Sequence, residues 1–140
     1  MKIISWNCNG AFRKKFDKIS DLGADIYVIQ ECEDPVRTNN KKYKDWGDNH
    51  LWIGDSKNKG LGIFAKSNIK MKQLNWSSNF RDHSVKYFLP CSVDDYFQLL
   101  GVWTHRNNSP NFGYMGQFWK YLQINLENFE HPIIAGDFNG

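Results

Sequence analysis

Four polar side chains stand where apolar stretches give out. Asn7 closes the stretch from Lys2 to Trp6, and Glu31 follows Ile26-Tyr27-Val28-Ile29-Gln30. His105 comes directly after the stretch from Phe97 to Thr104, and Asp137 after Pro132-Ile133-Ile134-Ala135-Gly136, with Asn139 two residues further on. In layered α/β proteins the loops beyond strand ends are where ligands are gripped, because a rigid scaffold opens its backbone there. If these strands are neighbours, two carboxylates, an amide and an imidazole meet on one rim. Two carboxylates brought close repel, and a divalent cation or a shared proton relieves the repulsion. Oxygen ligands without cysteine suit Mg²⁺, with Mn²⁺ the alternative, and exclude a structural zinc centre. Such a rim fits hydrolysis of a phosphate ester, in which the cation neutralises phosphoryl charge and a carboxylate orients the attacking water.

The elements that must hold these residues follow a repeated scheme. A short strand from Lys2 to Trp6 leads into a helix predicted from Ala11 to Leu22, in which Phe12, Phe16, Ile19 and Leu22 recur at helical spacing and Gly23 supplies the stop. The continuous apolar run from Ile26 to Ile29 reads as a strand buried on both faces. A meander follows, with strands predicted at Leu51 to Ile53, Leu61 to Ala65, Ile69 to Trp76, Val85 to Leu89 and Phe97 to Trp103. Thr38 to Lys44, Asp55 to Lys59 and Arg106 to Gly113 read as polar loops. The opening scheme then returns as a helix from about Tyr114 to Asn128 and a strand from Pro132 to Gly136.

Several motifs give the scheme a relative. Ile4-Ser5-Trp6-Asn7-Cys8-Asn9-Gly10 resembles the first motif of the endonuclease/exonuclease/phosphatase superfamily, the exonuclease III and DNase I-like proteins. Ile29-Gln30-Glu31 resembles its second, Gly60-Leu61-Gly62-Ile63-Phe64 its glycine-rich strand, and Gly136-Asp137-Phe138-Asn139 its most specific short signature. All stand in the family's order between residues 2 and 139. The resemblance implies an α/β (α+β) fold, a DNase I-like layered sandwich of two mixed β-sheets flanked by helices. Residues 1–140 form a single domain in this reading, one sheet with its helices and the beginning of the second half. It implies Glu31 as principal metal ligand, assisted by Asn7, with Mg²⁺ (or Mn²⁺) as the cofactor. Asp137 would orient or deprotonate the nucleophilic water, Asn139 would donate to the phosphate, and His105 would contact the scissile phosphate. Family members also carry an Asp-His pair near the C-terminus. Asp82-His83 stands in the wrong place in that order and takes no such role. On this reading the chain stops before the last motif, has reduced activity alone, and leaves a strand edge open to self-association.

Bulk properties narrow the partners. The chain has 140 residues, 41% of them hydrophobic and 16% aromatic, which supplies a core and argues against disorder. A net charge of +3 permits an anionic partner. The basic residues Arg13, Lys14, Lys15 and Lys18 follow Asn7 closely enough to touch phosphates, although most such faces are merely solvated; Lys41, Lys42 and Lys44 are a similar case. Trp46, Trp52 and Trp76 offer stacking surfaces to bases but read better as core. His50, His83 and His131 read as structural or surface residues. Three cysteines, with no zinc spacing, read as reduced thiols; Cys8 and Cys32, each beside a site residue on a strand, point to the opposite face and belong to the core. No signal-peptide core and no apolar run near 20 residues is present, so the expectation is a cytoplasmic protein without a membrane partner. The expected activity is Mg²⁺-dependent hydrolysis of phosphodiester bonds in DNA or RNA. The alternatives are a rim that binds metal and phosphate without catalysis, and a phosphatase or phosphodiesterase acting on another phosphoester.

Overall fold

The structure, a computed structural model, describes residues 1–80, 83–84, 86–104 and 114–138. The chain runs β1 (Ile3–Asn7), α1 (Phe16–Ser20), β2 (Ile26–Cys32), α2 (Lys41–Trp46), β3 (His50–Ser56), β4 (Lys59–Ala65), β5 (Met71–Gln73), β6 (Asn79–Phe80), β7 (His83–Ser84), β8 (Phe88–Val93), β9 (Phe97–Trp103), α3 (Tyr114–Asn125) and β10 (Ile133–Asp137). Two four-stranded sheets result, ordered β1-β2-β4-β3 and β10-β9-β8-β5; β6 and β7 form a separate small hairpin. Each large sheet is mixed. β1 pairs parallel with β2, and β10 parallel with β9, while the remaining pairings are antiparallel.

Side-chain alternation explains how the sheets stack. In β2, Ile26 and Val28 face the partner sheet, where they join Leu61 and Ile63 of β4 and Leu89, Cys91, Val93 and Leu99 of the second sheet in one core. Tyr27 and Ile29 face the other way and pack with Phe12, Ile19, Tyr43 and Phe64 beneath α1 and α2. On the far side of the second sheet, Phe88, Leu100 and Val102 are covered by Tyr121 of α3. The Phe88 and Tyr121 rings stack 4.1 Å apart and 8° from parallel. The central strands of both sheets are therefore covered on both faces, and the layers run helix, sheet, sheet, helix.

The expected fold class holds, with corrections to its parts. The chain supplies both four-stranded sheets, where the sequence reading expected one and the start of another. The predicted helix from Ala11 to Leu22 is a 3-10 turn (Phe12–Lys14) followed by the short α1, because Ala11 (φ 51) and Lys15 (φ −128) both leave helical geometry. The loop expected from Thr38 to Lys44 contains α2, whose first turn is capped by the Asn40 side chain accepting from the Tyr43 amide at 3.0 Å. Only Met71–Gln73 of the strand expected from Ile69 to Trp76 pairs. β8 lies further along than predicted and runs through Pro90. That proline is tolerated because β5 reaches only Cys91 on that side, and the Leu74 amide donates to the Pro90 carbonyl beyond it.

Candidate active site

Parallel pairing puts the ends of β1 and β2 on one rim, with Asn7 opposite Gln30. It does the same for β9 and β10, with Asp137 opposite Trp103. The two rims meet where β10 approaches β1 and β2. There the Asn7 Nδ2 donates to the Asp137 Oδ2 at 2.8 Å, joining residues 130 positions apart. Asn7 is oriented from its own loop as well. Its Oδ1 accepts from the Asn9 amide at 3.0 Å, which leaves the Nδ2 end turned to the other sheet. The loop needs three successive left-handed residues, Asn9 (φ 58), Gly10 (φ 82) and Ala11 (φ 51). Gly10 adopts that geometry at no steric cost and asparagine tolerates it, whereas alanine is strained there.

Asp137 is fixed through its main chain. The Thr104 amide donates to its carbonyl at 2.9 Å and the Thr104 hydroxyl at 3.4 Å, and Thr104 is fully buried. Before it, Gly136 lies so close to β9 that a Cβ would run into the Val102 carbonyl, so glycine at this position is a packing requirement.

Glu31 interrupts its own strand. The β2–β4 register shifts between Gln30 and Cys32, and Glu31 takes a left-handed φ of 66° at that bulge. A bulge re-aims a side chain that regular alternation would hold against the sheet, and strain of this kind concentrates at functional positions. The Glu31 carboxylate, 16% exposed, meets the Lys59 ammonium at 3.1 Å. The Cys8 thiol donates to the Glu31 and Gln30 carbonyls at 3.3 Å each, bracing the bulge against β1. Burial pushes the Cys8 thiol up to about 11 and holds Cys32 well above its ordinary value, so both remain protonated at neutral pH and belong to the core, as expected.

The structure therefore gathers Asn7, Glu31 and Asp137 at one end of the sandwich. His105 and Asn139 lie outside the described residues. Among the described residues no three His, Cys, Asp or Glu side chains cluster as a metal cage, so the oxygen donors available are two carboxylates and an amide. Three contributors escaped the sequence reading. Lys59 immediately precedes the glycine-rich strand, and its position was the only signal. Thr104 acts through its backbone and hydroxyl. Glu33, two residues beyond Glu31, is buried and receives the Arg13 Nη1 at 2.9 Å together with the Arg13 amide, clamping the Asn9–Ala11 loop.

A profile described as the Endonuclease/Exonuclease/phosphatase family matches residues 4–140. The chain belongs to that family. No curated protein matches it at a significant level. Among solved structures it is similar to the 3'-5' exonuclease NExo of Neisseria meningitidis, with a TM-score of 0.67 and 22% identity over 99% of this chain and 58% of that one. A Neisseria NExo described as a 3' phosphatase bound to a product DNA hairpin gives 0.61 and 17%, covering 99% of this chain and 58% of that one. The catalytic domain of human Nocturnin gives 0.58 and 14% over 100% of this chain and 64% of that one. The chain thus spans about three fifths of the length of the structures it matches. At these identities the likeness concerns the fold, which agrees with the layered sandwich described above.

Proposed function

We propose that this family member hydrolyses phosphodiester bonds in nucleic acid with the help of Mg²⁺. The observation that carries the reading is the Asn7–Asp137 hydrogen bond beside Glu31, which ties the strand ends of both sheets into one polar rim. The fold-mates described as an exonuclease and as a DNA-bound phosphatase make nucleic acid the favoured substrate.

The donor set fits a hard cation, because carboxylate and amide oxygens are present while the neighbouring thiols are protonated and buried. Glu31 would hold Mg²⁺ with help from Asn7, and Lys59 occupies the corresponding charge position beside Glu31. When bound, the cation would withdraw charge from a phosphoryl oxygen. The residues of the chain do the rest. Asp137 orients the attacking water and takes its proton. Asn7 keeps the Asp137 carboxylate in place. His105 and Asn139 are assigned to the phosphate on their motifs alone. Three buried, unbridged cysteines support a reducing, cytoplasmic setting.

The decisive assay is Mg²⁺-dependent cleavage of labelled DNA and RNA by the natural full-length protein, beside Glu31→Gln and Asp137→Asn. Each substitution is expected to lower the rate by roughly 10²–10⁴-fold. Variants that cut as fast as the parent would remove the rim from the mechanism. A parent that spares both nucleic acids but hydrolyses a small phosphodiester would move the substrate to another phosphoester.

A further inference from the structure

A second polar cavity adjoins the rim. It has a volume of about 880 Å³ and is bounded by the Gly10–Ala11 turn, the segment from Arg37 to Asn40 and the β3–β4 hairpin turn. Four cations line it, Arg13, Arg37, Lys57 and Lys59, against one carboxylate, Glu33. A smaller cavity of about 400 Å³ lies at the opposite end of the first sheet, around Ala24, Asp45, Asp48 and Lys66, and has no such excess of positive charge.

Three of the four cations are held in place. Arg13 is anchored by Glu33 through Nη1. Arg37 gives its Nε to Asp34 at 2.7 Å and rests 5.7 Å above the Trp52 ring. With Nε engaged, the two terminal nitrogens of its fork remain for a planar or tetrahedral anion. Lys59 belongs to both places, since it lines the cavity and meets Glu31 at 3.1 Å. The fourth cation, Lys57, is exposed at the hairpin turn, and its ammonium has no partner among the described residues. Amide side chains from Asn39, Asn40 and Asn58 complete a lining rich in donors.

We infer that this cavity is a second phosphate subsite, which grips the nucleic-acid strand next to the phosphodiester being cut. The inference rests on the nucleic-acid reading above and adds where the strand runs. A strand has one anionic phosphate per nucleotide. One whose scissile phosphate sits at Glu31 and Asp137 carries its next phosphates past Lys59 toward Lys57 and Arg37. The subsite makes the protein prefer oligonucleotides to single phosphodiesters. Lys57 and Arg37 thus contribute to binding, and neither touches the reacting atoms.

The test uses the full-length protein and a fluorescein-labelled 12-nucleotide DNA, with anisotropy read in EDTA so that no cleavage intervenes, from 50 to 200 mM NaCl. Lys57→Ala and the pair Lys57→Ala/Arg37→Ala are compared with Lys72→Ala, on the edge strand β5 farthest from β10. The pair is expected to bind about tenfold more weakly at low salt. Its plot of log affinity against log salt should be shallower by about 0.7 for each phosphate no longer neutralised. Under Mg²⁺ its KM for the oligonucleotide should rise while hydrolysis of bis(4-nitrophenyl) phosphate stays unchanged. Affinity and salt slope equal to those of Lys72→Ala overturn the subsite. If the parent binds DNA and cuts it while the pair binds equally well, the subsite alone fails. If the parent neither binds nor cuts nucleic acid, the substrate reading fails with it.

Discussion

Replacing Asn7 by aspartate would test the rim at its centre. In the protein the Asn7 Nδ2 lies 2.8 Å from the Asp137 Oδ2. Asn7→Asp puts an acceptor where that donor was, and the two carboxylates would relax apart to about 4 Å. At that separation two like charges repel by about 4 kcal/mol at an effective dielectric constant of about 20, and by about 1 kcal/mol in bulk water. For a partly buried rim the expected cost lies between, about 2 kcal/mol. Asn7→Ala removes the same hydrogen bond without adding charge, so the difference between the two variants isolates the repulsion. In a domain of this size 1 kcal/mol is worth about 3 °C, so Asn7→Asp should melt about 6 °C below Asn7→Ala at pH 7.5. Repulsion requires both carboxyls to be ionised. Protonating either carboxyl removes the repulsion, so the gap should be smaller at pH 4 than at pH 7.5. Millimolar Mg²⁺ at pH 7.5 should close it as well, by neutralising the pair. Calorimetry of the two variants at both pH values, with and without Mg²⁺, decides the matter. A gap that ignores both pH and Mg²⁺ would refute the geometry on which the site is built.

The strained bulge and the buried thiols allow two further checks. Glu31→Gly and Glu31→Ala should both abolish activity. The glycine variant should be the more stable by about 1 kcal/mol in urea titration, because alanine keeps the left-handed strain at φ 66°; equal or reversed stabilities would argue against that strain. Burial pushes Cys8 up to about 11 and Cys91 up to about 12 from an ordinary 9.0. The unfolded chain therefore loses these protons first, and stability should be level below pH 8 and fall as the pH climbs through 9 toward 11. Urea midpoints at pH 8, 9 and 10 measure this, and a Cys8→Ala/Cys91→Ala protein should show a shallower decline.

The strand ends were legible because apolar runs and the polar residues that close them are local signals. Phe97–Trp103 was read with the same bounds that the structure gives, the ends of β1 and β10 were placed within one residue, and β2 runs three residues past the apolar run that marked it. Asn7, Glu31 and Asp137 could be nominated for the same reason. α2 was not legible, since six residues carry only Tyr43 and Trp46 as apolar anchors and the lysines around them resemble a loop; the cap at Asn40 was its one sign. The break at Ala11 and Lys15 was hidden as well, because the apolar spacing continues through residues whose backbone does not. Nor could spacing show the bulge at Glu31, which depends on the register against β4. Lys59 and Thr104 act through pairings between strands distant in sequence, and no short window contains both partners.

The bond between Asn7 and Asp137 also orders events in time. During synthesis at about 5–20 residues per second, Asn7 emerges roughly ten seconds before Asp137. Until β10 has docked, the nascent polypeptide carries Glu31 but lacks the amide–carboxylate latch, and its rim is open on one side. Closure of that latch is therefore a late folding event, in which β1 must wait for β10.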